Sequence, residues 1–223
     1  MPELSAAYHA TRARVTALVS ELDDAGLDRP VPACPAWRVR DLVAHMSGIP
    51  DALTAGDLPA GDLQVWLDGL LEARRGVAVD ELLDRWGACA DATSTLIDSG
   101  AGLLVIDLVT HEHDLRTALD QPGARGTAEV RAIVQPVLDL LAPSMSDAGL
   151  GALLIDAGGV QWASHLAKPG CTLHVDPWEA TRALNSRRTA DELRALPATG
   201  DIEPYLAVID GHLPLPVASL GEQ

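Results

Sequence analysis

The sequence predicts a two-part protein: an antiparallel helical bundle over residues 1–143, followed by a small α+β domain over residues 144–223. Three observations predict it. Apolar residues recur at helical spacing through nearly all of the first part. After Pro143, short apolar runs bounded by glycine and proline pairs replace that spacing. The stretch Asp41-Leu42-Val43-Ala44-His45 has a near copy, Asp107-Leu108-Val109-Thr110-His111, each inside an apolar segment, as expected of helices that share one interior.

Leu4, Tyr8, Val15, Leu18 and Leu22 give a first amphipathic helix, followed by Gly26 and the Pro30, Pro32, Pro35 cluster. Trp37 to Met46 gives a second, closed by Gly48 and Pro50. Leu63 to Arg75 reads as a short helix, and Val79 to Ile97 as a longer one with Leu82, Leu83, Trp86 and Ala90 at helical spacing. Leu103 to Leu119 carries Asp107 and His111 and ends at Gln121-Pro122-Gly123. A helix from Ala128 to Leu141 leads to the break. Beyond it, Leu153-Leu154-Ile155 and Thr172-Leu173-His174-Val175 read as strands. Pro177 opens a helix through Leu184, Thr189 and Glu192 form a capping box for another, and Asp201 to Ile209 is the last.

The 223 residues carry a formal net charge of −16, and 48% are hydrophobic, enough for a substantial core. Such acidity argues against a nucleic-acid partner or an anionic membrane surface, since both need a basic footprint. No signal-peptide layout and no apolar run of transmembrane length is present, so a cytoplasmic protein is expected. Cys34, Cys89 and Cys171 are odd in number and scattered, which suits reduced thiols.

On a helix, positions i and i+4 lie about 40° apart, so Asp107 and His111 point at one spot, and His45 can reach it from a neighbouring helix. Two imidazoles and a carboxylate make a ligand set for a divalent metal, zinc above all, with a position left open. Asp114, three residues beyond His111 on the same face, suits a partner that fixes a histidine tautomer; its bland reading is a buried salt bridge. Asp41 reads as a helix-capping carboxylate and His113 as lying outside the site, while Glu112 and Arg116 fall off the face and read as solvated. The five tryptophans read as core anchors, one or two of which can line a pocket. Cys34, before a proline near a helix start, has no local basic partner. Arg182, Arg187 and Arg188 are either solvated surface or a fork for a substrate carboxylate, with the Thr189 cap beside them.

The run Cys34 to His45, the later Arg74-Arg75-Gly76 with Leu82 to Trp86, and Asp107 to Arg116 resemble the maleylpyruvate isomerase family of mycothiol-dependent enzymes. Pro169-Gly170, the segment Leu184 to Thr189 and Gly200-Asp201 before Pro204-Tyr205-Leu206 extend the resemblance along the chain. It implies a DinB-like four-helix bundle binding a divalent metal, followed by a small sterol-carrier-like α+β domain. It also implies His45, Asp107 and His111 as metal ligands, with Asp107 where the family usually has Glu, and a functional arginine among Arg182, Arg187 and Arg188. Arg38 stands where the family usually has Ser or Thr, so the next helix lacks a capping oxygen. The implied function is an enzyme using mycothiol thiolate on a small-molecule substrate. It either isomerises a maleylpyruvate-like double bond or transfers the thiol to an electrophile. The alternative is a non-catalytic small-molecule-binding protein with a structural metal. A monomer or homodimer is expected, and the arginine-rich, lysine-poor composition suits a high-GC, actinobacterial source.

Overall fold

The computed structural model describes residues 2–222, and the chain divides into two compact units between Pro122 and Gly123. The first unit is helical apart from one hairpin. Helix α1 (Pro2–Val19) and a short α2 (Asp24–Leu27) precede the hairpin of β1 (Pro30–Val31) and β2 (Cys34–Arg38). Then come α3 (Val39–Thr54), α4 (Leu63–Arg74), α5 (Val79–Ala88), α6 (Ala90–Asp98) and α7 (Leu103–Leu119). Helix α3 is the hub, packed on α4, α5, α6 and α7, and α1 lies along α6 and α7. Leu42, Val43, Trp86, Ile97, Val105 and Val109 are buried in this core. The indole N–H of Trp86 donates to the Tyr8 hydroxyl at 2.6 Å, satisfying both polar groups in the interior.

Three first-unit boundaries differ from the sequence expectation. Trp37 belongs to β2, so α3 starts at Val39. Helix α3 also runs through Gly48 and Pro50. Gly48 is there for close approach, because a Cβ would stand 2.8 Å from Nε of Arg74 on α4. The expected helix from Val79 to Ile97 breaks at Cys89, whose backbone (φ −92°, ψ 0°) leaves the helical region.

The second unit pairs helices with a four-stranded sheet. Helix α8 (Ala128–Asp147) is followed by β3 (Ala152–Asp156), β4 (Gln161–Ala163), β5 (Pro169–Leu173), α9 (Pro177–Leu184), α10 (Ala190–Ala195), β6 (Ala198–Gly200) and α11 (Glu203–His212). The strand order is β4-β3-β5-β6, with β3 and β5 parallel and the outer pairs antiparallel. Helix α8 packs on α9, α11, β3 and β4, burying Ile133, Val134, Val137 and Leu138. The division expected at Pro143 therefore falls inside a helix of this unit. Pro143 is tolerated because it and Asp139, whose carbonyl it leaves without a helical partner, are both exposed, so water can replace the missing bond. The capping box of Thr189 and Glu192 forms as expected, with bonds of 3.1 and 2.8 Å. Among the described residues, no helix is long and apolar enough to cross a membrane.

Candidate metal centre

Helix α7 is buried almost all round from Val105 to Leu119, so its polar side chains must find partners inside the protein. It carries Asp107, His111 and Asp114 along one face, and α3, packed against it, brings His45. The capping carboxylate expected at Asp41 is in place: it accepts the Arg38 amide at 2.9 Å and offsets the missing cap oxygen at Arg38.

His45 Nε2 lies 3.3 Å from Asp107 Oδ1, and His111 Nε2 lies 3.4 Å from the same oxygen. The imidazoles stand edge to face, with ring centres 5.1 Å apart. These separations are long for hydrogen bonds. They match two donors about 2.0–2.1 Å from a shared tetrahedral ion, which lie about 3.3–3.4 Å from each other. Donor atoms of all three residues fall within 4.8 Å of one another. The imidazoles are nearly buried, whereas the Asp107 side chain is 32% exposed, which leaves one side accessible. The residues therefore fit a divalent cation.

The far nitrogen of His111 is also held. Its Nδ1 donates at 2.9 Å to Asp114 Oδ2, and the Asp114 side chain has no exposed surface. A cation on the Asp107 side would then meet Nε2 of a ring whose orientation Asp114 holds, which is the geometry that a tautomer-fixing partner requires. Burial by itself would raise the Asp107 carboxyl, but the charges and hydrogen bonds of His45 and His111 outweigh it and hold the group below the usual carboxylate range. Burial would lower His111, and the Asp107 charge together with its hydrogen bonds to Asp107, Asp114 and Cys34 raises it well above the ordinary value.

Two contributors come from the hairpin. Trp37 on β2 packs its ring 4.8 Å from His45 and 6.2 Å from His111, so it walls the site instead of anchoring a core. Cys34 on the same strand joins His111 and Asp114 in a second donor group, again within 4.8 Å. The sequence showed no basic partner for Cys34 because that partner, His111, comes from α7, far along the chain. The two nitrogens of one imidazole face away from each other, so a single ion uses the His45 and Asp107 side or the Cys34 and Asp114 side of His111. Two imidazoles with an accessible carboxylate favour the first.

A family model described as the mycothiol maleylpyruvate isomerase N-terminal domain matches residues 8–164, well over half of the chain. The chain belongs to this family. No curated protein and no solved structure matches it. Membership ties the chain to mycothiol-dependent enzymes acting on small molecules, of isomerase class at most. The matched span takes in every residue of both donor groups, from Cys34 to Asp114, and stops before the three C-terminal arginines.

Two of those arginines, Arg182 and Arg188, are not arranged as a fork for a substrate. Arg182 is 1% exposed and ion-paired to Glu222, its Nε donating to Oε2 at 3.0 Å. Arg188 donates to Glu179 at 2.7 and 2.8 Å and to Glu222 at 2.6 Å, and its Nη1 also donates to the Arg187 carbonyl. Arg187 donates to the Asn185 carbonyl at 2.7 Å. The expected anion-binding role is corrected for Arg182 and Arg188, because the carboxylates of Glu222, which is buried, and Glu179, which is half-buried, already fill their donor edges. Glu112 also departs from expectation. It is fully buried, between Arg14 of α1 at 2.8 and 2.9 Å and Arg116 at 2.9 and 3.0 Å, since the α7 face away from the site packs on α1 and not on solvent. His113 belongs to neither donor group, as expected.

Proposed function

We propose that the chain is a metal-dependent enzyme that uses the thiolate of mycothiol on a small-molecule substrate. The observation that carries this reading is the meeting of His45 Nε2 and His111 Nε2 at one oxygen of Asp107, at spacings suited to one cation. A divalent cation held there, zinc by the chemistry of the donors, would favour the thiolate form of a bound thiol and leave a coordination position for it. Asp114 fixes the His111 tautomer, Trp37 shields the two imidazoles, and the exposed edge of Asp107 marks the open side.

Two reactions share the activated thiolate. Reversible addition to an activated carbon–carbon double bond, rotation and elimination isomerise a maleylpyruvate-like substrate. Attack on an electrophile with retention of the thiol is S-transfer. The isomerase is the better-supported of the two, since the family is described by that activity. The helical unit would act as the DinB-like bundle and the second unit as the sterol-carrier-like domain of a cytoplasmic monomer or homodimer.

Elemental analysis combined with mycothiol titration tests the reading. About one divalent ion per chain is expected, with thiol binding that a chelator abolishes. Folded protein without metal, or thiol binding indifferent to chelation, overturns it. Assays for maleylpyruvate isomerisation and for S-conjugate formation then choose between the reactions.

A further inference from the structure

The first unit holds another cavity beside the metal centre, between the end of α2, the junction of β2 with α3, the end of α4 and the start of α5. Its volume is about 270 Å³, just under the roughly 300–1,000 Å³ of drug-sized pockets, so it suits a single small ring. Its position ties it to the metal ligands. Asp41 and Ala44, which line it, precede His45 on α3 by one turn and by one residue. Side chains four apart on a helix have Cβ atoms about 5–6 Å from each other, so a group seated beside Asp41 lies about one helical turn from the His45 imidazole. Arg38, also in the lining, directly follows Trp37, the wall of the two imidazoles.

The polar groups of the cavity alternate in sign. Asp28 Oδ1 accepts from Arg38 Nη1 at 3.0 Å and from Arg40 Nε at 2.8 Å, while Oδ2 accepts no hydrogen bond among the described residues. Asp41 Oδ2 accepts the Arg38 amide at 2.9 Å; its Oδ1 accepts none among the described residues, although the side chain is 15% exposed. Arg74 has structural work, donating to Asp51 at 2.8 Å and to the Leu70 carbonyl at 3.1 Å. Arg75 pairs with Glu72 at 2.8 Å, but both side chains are largely exposed, and water-screened pairs of this kind exchange partners at little cost.

This pattern selects a class of ligand. A simple anion would face Asp28 and Asp41, and a simple cation would face the arginines. A hydroxyl serves both, because it donates one hydrogen bond and accepts two. The C–H face of a hydroxylated ring also matches the apolar part of the lining, Ala44, Leu71 and Leu82. Interleaved carboxylates and guanidinium groups over an apolar floor therefore suit a neutral polyol.

We propose that this cavity holds the sugar or cyclitol end of mycothiol, a cysteine-based thiol that carries an amino sugar and an inositol. Asp28 and Asp41 are its acceptors, and Arg38, Arg40 and Arg75 its donors. The proposal rests on the reading of the metal centre, which receives the sulfur. The test is calorimetric titration of the metal-loaded full chain with mycothiol and, separately, with N-acetylcysteine, which has the thiol and no sugar. Mycothiol should bind at least tenfold more tightly. Asp28→Asn and Arg40→Gln should each weaken mycothiol binding roughly tenfold, the loss of about one charge-assisted hydrogen bond, with N-acetylcysteine binding and metal content unchanged. Equal affinity of the wild type for the two thiols overturns the proposal and leaves the metal centre standing. So does a parallel loss of both thiols in the variants, or mycothiol binding by both variants at the wild-type affinity. If neither thiol binds in a metal-dependent way, the reading of the metal centre falls, and this proposal with it.

Discussion

The two buried ionic clusters use their charges for opposite ends. In the first unit, His45 and His111 face Asp107 at 3.3 and 3.4 Å, looser than direct pairing, and one side of the carboxylate is exposed. In the second, Arg182 and Arg188 clamp Glu222 directly, and Arg182 and Glu222 are 1% and 2% exposed. Donors spaced around a gap and open on one side suit a cation and its ligand. Donors closed on one another and sealed from water suit a fold. Both set two basic side chains on one carboxylate, so the spacing of the donors and the exposed edge of Asp107 are what separate a binding site from a structural clamp.

The largest expected effect opens the first cluster. Either His45→Ala or His111→Ala should abolish retention of metal while helix content is kept, because two remaining ligands do not hold a divalent ion against water. Elemental analysis and far-UV circular dichroism check this. Metal content unchanged in both variants would place the ion elsewhere.

Breaking the second cluster should act on stability instead. Glu222→Ala leaves Arg182 buried beside an empty space, and removing one member of a buried pair costs about 3–5 kcal/mol. Denaturant unfolding should show that loss with metal content intact. A change under about 1 kcal/mol would mean that the C-terminal segment is not clamped as described.

The contrast also explains what the sequence could tell. Asp107, His111 and Asp114 were legible because helical spacing alone puts them on one face, and His45 because its flanks mark a second buried helix. Cys34 and Trp37 were not, since their approach to His111 depends on a hairpin whose two- and five-residue strands carry no readable period. Glu112 was misread for a related reason. Periodicity says which way a side chain leaves its own helix and not which helix waits there with Arg14. The burial of Arg182 and Arg188 depends on Glu222, far away in sequence, and local composition has no signal for that pairing. Proline at position 143 looked like a break because its cost depends on exposure, which the sequence does not show.

A smaller effect is expected where the first cluster is held from behind. Asp114→Asn keeps the shape but removes the charge that accepts the His111 Nδ1 proton. Partners of this kind are typically worth about 10–100-fold in metal affinity. Competition with a chelator of known affinity measures it. Unaltered affinity would show that Asp114 serves the α7 interior alone.

The smallest effect decides which side of His111 carries the ion. Cys34, His111 and Asp114 form a donor group of their own, and a thiolate is a good zinc ligand. If the ion sits at His111 Nε2 with His45 and Asp107, the Cys34 sulfur lies on the Nδ1 side, where the ring donates to Asp114 and no lone pair is left for a metal. Cys34→Ser, close in shape and much poorer as a metal ligand, should then keep full metal content and change affinity by no more than a few-fold. Substituting Co2+ gives a second readout, since a thiolate ligand adds an intense near-ultraviolet charge-transfer band that imidazole and carboxylate do not. In the thiol-free protein that band should be absent from the wild type and the variant alike. A band that vanishes with Cys34→Ser would move the ion to the Cys34 side, and the exposed edge of Asp107 would no longer mark the place where a substrate thiol enters.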